Sequence, residues 1–357
     1  MYNFFLKYRR VLYPFSFLYA AIVVVRNWLF DVGILKSESF KTPTISIGNI
    51  AVGGTGKTPH VEYLIELLSP TMKIAVLSRG YKRKTKGYIL LDDNSIAEQV
   101  GDEPKQMKEN YPNITIAVDE NRRHGIQQLE ATVRPDIILL DDAFQHRYVK
   151  PNISILLTDY AHPFWEDNYL PAGNLRDSKS QIYRAEIIIV SKSPENLTPI
   201  IQRTVYKNLN LFPYQRFYFT RYEYRGLKSL GKKVDIKNKK DYTVLLFSGI
   251  ARNEHLYNYL KEEYKHVELI NFPDHHHFTV KDIEKIIEKF EEIYNENKII
   301  VTTQKDAVKL KDNTNFAALF ENPVFYQKIK TVFFNENDEK EFKKIILKHV
   351  ERSSIIY

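Results

Sequence analysis

The feature that most constrains the fold of this chain is a glycine-rich loop between an apolar run and a helical run. TPTISIGNI, residues 42–50, is rich in β-branched side chains and predicts a strand. AVGGTGKT, residues 51–58, follows it, and PHVEYLIELL, residues 59–68, has the apolar spacing of a helix. A strand, a glycine-rich loop and a helix in this order are typical of loops that bind nucleotide phosphates.

The loop departs from the usual pattern G-x-x-x-x-G-K-[ST] at its first position, which is Ala51. Two glycines inside the loop still allow backbone N–H groups to converge on phosphates. Lys57 is predicted to reach the β- and γ-phosphates, and the Thr58 hydroxyl to ligate Mg²⁺. The predicted nucleotide-binding residues are Ala51, Val52, Gly53, Gly54, Thr55, Gly56, Lys57 and Thr58.

Further apolar runs predict a parallel sheet covered on both faces by helices. They are KIAVLSRG (73–80), PDIILLDDAF (135–144), ISILLTD (153–159) and AEIIIVSK (185–192). The second of these runs ends in Asp141 and Asp142, where a carboxylate that helps to hold Mg²⁺ is expected. A turn or helix cap is the alternative role for this acidic pair.

The composition changes at residues 213–240, which are rich first in aromatic and then in basic residues. This segment predicts a β-ribbon linker. Apolar runs at 242–251, 266–272 and 298–307 then predict a second, smaller α/β domain, with a helix that Thr279 and Asp282 begin. A strand near VFYQKIKTVFF and a helix from about residue 337 complete it. The predicted division has four parts: an N-terminal helix region (1–35), the P-loop domain (36–212), the linker (213–240) and the smaller C-terminal α/β domain (241–357).

The composition limits the classes of partner that this chain is expected to bind. The 357 residues include no cysteine, which excludes disulfides and thiolate metal sites. The net charge of +8 favours anionic partners. Because neither an RNA-binding signature nor a zinc-finger spacing is present, phosphates and lipids are expected rather than nucleic acid.

The N-terminus carries FSFLYAAIVVV, an uncharged run at residues 15–25, after Lys7, Arg9 and Arg10. Spanning a bilayer takes about 20 apolar residues, so this run predicts a helix that lies in the membrane interface. A signal peptide would be followed by a small-x-small cleavage site, which does not occur here. A buried core helix is the alternative interpretation.

Two other classes of P-loop protein share part of this pattern. Membrane-bound switch ATPases carry a lysine before the two loop glycines, where this chain has Val52. GTPases read their base with N-K-x-D, whereas TTQKDAVKL, residues 302–310, has Thr303 in place of the asparagine.

Six further motifs follow the loop in a fixed order. They are LSRGYKRKTKGY (77–88), GDEPKQM (101–107), DDAFQHR (141–147), LPAGNLRDS (170–178), NFPDHHHFT (271–279) and TTQKDAVKL (302–310). With the loop and the apolar N-terminus, they resemble the tetraacyldisaccharide 4′-kinases, the lipid A kinases of Gram-negative bacteria, over roughly residues 10–310. That family also lacks glycine at the Ala51 position. The chain departs from the family at four positions, where a glycine, a glycine, a glutamate and a proline are replaced by Lys82, Ala143, Asp177 and Ser178.

The resemblance implies transfer of the ATP γ-phosphoryl group to the 4′-hydroxyl of an acylated glucosamine disaccharide 1-phosphate. It implies that Asp102 accepts the hydroxyl proton and that His275 orients it as a dyad; a helix-start acid is the alternative role of Asp102. It leaves Glu103, Asp141 and Asp142 for Mg²⁺. Predicted substrate contacts are Arg79, Gln145, His146 and Arg176.

An acylated substrate stays in the bilayer while ATP is available in the cytoplasm. The expected location is therefore peripheral, on the cytoplasmic face of the bacterial inner membrane, with the apolar helix and flanking cations on the inner leaflet. A membrane-associated P-loop switch ATPase that acts through partner binding stays open as the alternative function.

Overall fold

Strands alternate with helices along the chain, as the apolar runs predict. The computed structural model describes residues 9–250 and 252–355, with side chains at 11–250 and 252–351. Lys7 and the side chains of Arg9 and Arg10 therefore lie outside the described part.

The helices are α1 (Tyr13–Asp31), α2 (Lys57–Leu68), α3 (Ala97–Val100), α4 (Asp102–Asn110), α5 (Arg122–Thr132), α6 (Pro199–Leu209), α7 (Glu254–Glu263), α8 (Val280–Glu291), α9 (Gln304–Lys311), α10 (Ala317–Phe320) and α11 (Glu336–Ile355). Short 3₁₀ turns occupy Arg9–Leu12, Phe164–Glu166, Lys179–Arg184, Lys239–Asp241 and Thr314–Phe316. The strands are β1 (Thr44–Gly48), β2 (Ile74–Ser78), β3 (Ile89–Leu90), β4 (Thr115–Val118), β5 (Ile137–Asp141), β6 (Ile153–Asp159), β7 (Ile187–Ser191), β8 (Arg216–Ser229), β9 (Thr243–Ser248), β10 (His266–Asn271), β11 (Lys298–Thr303) and β12 (Val324–Phe333).

One sheet contains twelve of the described strands, in the order β10-β9-β11-β12-β8-β7-β6-β1-β5-β2-β4-β3. The pairs from β7 through β6, β1, β5 and β2 to β4 are parallel, and so are β10-β9, β9-β11 and β11-β12. We call the part from β3 to β7 the first unit and the part formed by β9, β10 and β11 the second unit. The predicted mostly parallel α/β fold is confirmed.

The long strand β8 joins the two units. Its first four residues pair with β7 in parallel, and residues 220–229 pair with β12 in antiparallel fashion. Residues 216–229 of the predicted ribbon form β8, and its second strand comes from residues 324–333, outside the predicted segment. Sequence patterns show periodicity within a segment but not which distant segment pairs with it.

The terminal helix α11 packs on the first unit. Phe342, Ile346 and Val350 belong to the same buried cluster as Ile45 and Leu64 of β1 and α2. We therefore propose that α11 is part of the first unit, although the sequence predicts that residues 241–357 form one domain; the other predicted boundaries stay predictions.

One predicted strand is too long. The run at 298–307 ends as a strand at Thr303, whose side chain accepts a hydrogen bond from the Asp306 backbone and begins α9. An N-cap threonine favours this switch from strand to helix. The predicted start of α8 is confirmed, since Thr279 and Asp282 form a capping box.

Candidate active site

The carboxyl ends of β1, β5 and β2 meet at one edge of the sheet. Ile47 of β1 lies level with Asp141 of β5, and Leu77 of β2 lies level with Leu140. The Ser78 hydroxyl donates to Asp141 Oδ2 at 3.0 Å. Ligand sites in open parallel sheets form at this edge, so the adjacent strands bring the predicted loop and the acidic pair together.

The loop has the conformation that its glycines permit. Gly53 and Gly56 adopt φ values of 119° and 83°, in the left-handed region that favours glycine. Ala51 instead forms an extended antiparallel bridge with Leu175. An alanine fits there because an extended backbone does not require glycine. Thr58 is the second residue of α2, directly behind the loop.

Asn49 organises the entrance to the loop, and sequence reasoning did not single it out. Its Nδ2 donates to Thr55 Oγ1 at 2.9 Å, and its Oδ1 accepts from Lys57 Nζ at 3.4 Å. Arg176 also donates to Oδ1, and Gln145 Nε2 donates to the Asn49 carbonyl oxygen. The loop is therefore connected to both the LPAGNLRDS and DDAFQHR motifs.

Asp142 is held as a charged carboxylate. Burial would raise its pKa, but Lys57 at 3.7 Å and a two-point contact with Arg176 lower the pKa well below its usual value. Two cations thus already compensate the charge of Asp142.

The pKa of Asp141 is shifted in the opposite direction. Its burial, with the charges of Asp142 and Glu103, raises the pKa to about 6. Its Oδ1 is buried and has no hydrogen-bond partner. A buried carboxylate oxygen without a partner, next to a phosphate loop, fits a cation ligand.

Among the described residues, no group of three His, Cys, Asp or Glu side chains could hold a metal ion. Mg²⁺ usually keeps several waters and binds one or two carboxylates together with phosphates. The residues present therefore fit a magnesium ion that a nucleotide helps to hold.

The predicted dyad is assembled from the two units. Asp102 is the first residue of α4, and His275 follows β10; His275 Nδ1 lies 3.3 Å from Asp102 Oδ2. Burial would raise the pKa of Asp102, but the hydrogen bond from His275 and the ammonium groups of Lys309 and Lys305 lower it. Asp102 is therefore a charged carboxylate that can accept a proton.

Two lysines on one face of α9 complete the dyad. Lys309 Nζ lies 3.3 Å from Asp102 Oδ2, and Lys305 Nζ lies 3.1 Å from His275 Nε2. Since an ammonium group only donates, Nε2 accepts, and the ring proton lies on Nδ1, which donates to Asp102. Glu103 Oε1 contacts Lys305 Nζ at 2.8 Å, so Glu103 pairs with a cation here.

A close approach of two glycines brings Asp102 to the carboxyl end of β2. A Cβ on Gly101 would lie 3.1 Å from the Cα of Gly80, so the backbones of GDEP and SRGY are in contact. A cavity of about 200 Å³ opens beside the dyad, lined among others by Tyr81, Lys82, His277 and Phe316. Space for an acceptor therefore adjoins Asp102.

Two of the predicted substrate residues, Gln145 and Arg176, contact α1. The carbonyl oxygen of Gln145 accepts from Arg26 Nη2 at 2.9 Å, and that of Arg176 from the Tyr19 hydroxyl at 3.2 Å. Burial and the charge of Arg122 lower the pKa of His146 to about 4, so it is neutral near pH 7. Arg79 is exposed, and its charge contributes to the same shift.

The helix α1 packs on the protein through a mixed face, Ser16, Val23, Asn27 and Phe30, and exposes most of its other apolar residues. Asn27 Nδ2 donates to Asp177 at 2.7 Å, and Ser16 Oγ accepts from the Ala172 backbone at 2.8 Å. Asp177, a departure from the family pattern, is thus a buried support of α1. Seven large apolar side chains on α1 are at least half exposed, namely Phe15, Phe17, Leu18, Ile22, Val24, Val25 and Trp28.

In the described part of the chain, α1 is long and apolar enough to cross a membrane by length and composition. Core helices and signal sequences can share these two properties, so they do not assign a topology. The exposure of its side chains is more specific than its hydropathy, because a contiguous apolar surface stays exposed beside a contact face that includes the buried polar residues Ser16 and Asn27.

The family model for Tetraacyldisaccharide-1-P 4′-kinase matches residues 8–351 of this chain. The chain belongs to this family. The resemblance that the seven motifs indicate is thereby confirmed.

Relatives described as tetraacyldisaccharide 4′-kinase match nearly the whole chain. The protein of Bacteroides thetaiotaomicron is 43% identical over 98% of this chain and 95% of its own length. That of Flavobacterium johnsoniae is 45% identical over 97% of this chain and 98% of its own length.

A crystal structure of the family member LpxK from Aquifex aeolicus, in complex with ATP, has the same fold. Its TM-score with this chain is 0.73, with 30% sequence identity, and the match covers 96% of this chain and 99% of that one.

Proposed function

We propose that this protein transfers the γ-phosphoryl group of ATP to the 4′-hydroxyl of a tetraacyldisaccharide 1-phosphate, the lipid A precursor. The observation that carries this proposal is the Asp102–His275 pair, assembled from both units beside the cavity and at the same sheet edge as the phosphate loop. A kinase needs a proton acceptor beside the γ-phosphate, whereas a switch ATPase does not.

The loop would hold the nucleotide. Backbone N–H groups at residues 51–58 and the N-terminus of α2 favour the phosphates, and Lys57 supplies a charge that reaches the transferred group. Its contacts with Asn49 and Asp142 keep the ammonium group at the loop.

We assign Asp141 as the first carboxylate ligand of magnesium, because its Oδ1 is buried and unpartnered. Asp142 and Glu103 are already paired with cations, and Thr58 is at the start of α2. Magnesium would neutralise developing charge on the phosphates. The Arg176–Asp142 contact would keep this side of the site in place.

Asp102 would accept the proton of the sugar hydroxyl. The Nδ1–H of His275 and Lys309 orient its carboxylate and stabilise its charge, leaving the acceptor to approach from the cavity. We keep Arg79, Gln145, His146 and Arg176 as candidate contacts to the substrate, because Gln145 and Arg176 contact both Asn49 and α1, and the charge of Arg79 acts on His146.

The substrate would be met at the membrane surface. The exposed apolar face of α1 would enter the interface of the inner leaflet, with the protein peripheral on the cytoplasmic side. Acyl chains and α1 would then share the same apolar layer, next to Arg176 and Gln145.

A transfer assay tests the proposal. The full chain is incubated in detergent with labelled ATP, Mg²⁺ and the disaccharide 1-phosphate, and the expected result is Mg²⁺-dependent label on the lipid. Hydrolysis of ATP at a rate that the lipid does not change, without labelled lipid, would favour the switch ATPase.

Membrane partition tests the role of α1. Phe17→Asp replaces a side chain that is 80% exposed and therefore spares the packed face. If Phe17 enters the membrane interface, loss of its aromatic ring should weaken vesicle binding by roughly tenfold or more. Asp93→Asn, in an exposed turn, is the control, and unchanged sedimentation of Phe17→Asp with vesicles would contradict an interfacial α1.

A further inference from the structure

Behind the nucleotide loop lies an ion pair that the roles above do not use. Asp159 ends β6, and Lys192 follows β7, its neighbour in the sheet. Lys192 Nζ contacts Asp159 Oδ2 at 2.9 Å, and the two side chains are only 8% and 3% exposed. A buried ammonium group requires a charged partner and hydrogen bonds, which Asp159 partly supplies.

The second contact of Lys192 is the loop itself. Its Nζ donates to the carbonyl oxygen of Gly54, and the neighbouring Ser191 hydroxyl donates to the carbonyl oxygen of Thr55 at 2.8 Å. Two consecutive loop carbonyl groups are thus held toward β7. Because C=O and N–H point in opposite directions across a trans peptide, the N–H groups that follow are turned away from β7.

The backbone at Lys192 gives a second, independent observation. Its φ is 56°, in the left-handed region that favours glycine, yet the position carries a long charged side chain. Such a conformation persists where surrounding contacts fix it, and it is concentrated at functional sites. Here it aims the side chain from the end of β7 back onto the loop.

The second unit reaches the same ion pair. Arg252 Nη1 donates to Asp159 Oδ2 at 3.3 Å. Burial would raise the pKa of Asp159, but Lys192 and Arg252 outweigh it and lower the pKa. Asp159 therefore stays charged between a cation that touches the loop and a cation from the other unit.

We infer that Lys192 is a positioning residue for the nucleotide. It fixes the Gly54 peptide of the phosphate loop, Asp159 holds it there, and Arg252 connects this support to the second unit. The inference rests on the proposed use of ATP, but not on the identity of the acceptor.

The test measures the Kd of a fluorescent ATP analogue without lipid, and then the KM of each substrate. Lys192→Met should weaken nucleotide binding by about tenfold, as expected for a lost charge-assisted hydrogen bond, and raise the KM for ATP, while the KM for lipid stays unchanged. Lys192→Arg should restore most of the affinity. Lys179→Met is the matched control, because Lys179 also donates to a backbone carbonyl, that of Trp165 at 2.7 Å, away from the loop.

Wild-type nucleotide affinity in folded Lys192→Met would overturn the inference. Equal losses for ATP and lipid without rescue by arginine would also overturn it, because they indicate a structural role only. If Lys192→Met does not fold, Ser191→Ala and Asp159→Asn provide the same comparison, with weaker ATP binding expected in both. Failure of the proposed lipid kinase would appear separately, as a wild-type protein that binds ATP without labelling lipid.

Discussion

The nucleotide half of the site and the acceptor half are stabilised in different ways. Lys57 contacts both Asn49 and Asp142 within the first unit, at the ends of adjacent parallel strands. The acceptor half crosses between units, where α4 meets α9. Its pairs are Asp102–Lys309, Glu103–Lys305, Glu109–Lys311 and Asn110–Gln304. Substitutions should therefore separate nucleotide binding from phosphoryl transfer.

The largest expected effect is a loss of catalysis without a loss of nucleotide binding. Asp102→Asn removes the proton acceptor and should lower kcat by roughly 10²- to 10⁴-fold, while the Kd of an ATP analogue stays unchanged. Lys57→Met should instead impair both. Labelled-phosphate transfer and nucleotide fluorescence measure the two quantities. Asp274→Asn is the matched control, because the Asp274 side chain is about half exposed and lies 4.0 Å from His275. A fully active Asp102→Asn protein would show that Asp102 is not the base.

The next largest effect should be on the free energy of unfolding, and it should have opposite signs for substitutions at two neighbouring acids. Asp141 has a folded pKa of about 6 against an ordinary value of 3.8. Its contribution to stability is thus present below pH 3.8 and lost as the pH rises through 6, which costs up to roughly 3 kcal/mol when it is ionised. Asp141→Asn should raise the free energy of unfolding of the metal-free protein at pH 8.

Asp142→Asn should lower that stability at the same pH. Its folded pKa is depressed, so its charge stabilises the fold above the ordinary carboxyl pKa, and Lys57 and Arg176 would lose the carboxylate that compensates their charges. Urea unfolding with a chelator at pH 8 and pH 4 measures both variants. Destabilisation of equal size in the two variants would contradict the division of roles between the acids.

The smallest effect should be a loss of kcat from substitutions where α9 meets α4. Lys305→Met removes the donor to His275 Nε2 and should lower kcat by about tenfold, with the Kd for ATP unchanged. Lys311→Met removes an exposed pair from the same helix and should change kcat little. Comparable losses in both variants would indicate that general docking of α9 matters more than the dyad contact.

The first unit could be predicted from local sequence, because its loop and acidic pair follow apolar strands that are neighbours in a parallel sheet. The dyad could not: Asp102 and His275 are 173 positions apart, and only the resemblance indicated their pairing. Asn49 and Lys192 were missed because their functions arise from contacts with backbone carbonyls and side chains of other elements. The partner of β8 and the packing of α11 were also hidden, since periodicity does not reveal long-range pairing.

A crystal structure with a non-hydrolysable ATP analogue and Mn²⁺ tests most directly whether the two halves form one site. The account predicts an anomalous peak beside Asp141, phosphates on the loop at residues 51–58, and the γ-phosphate directed toward Asp102. A metal bound away from Asp141, or a γ-phosphate directed away from the Asp102–His275 pair, would contradict it.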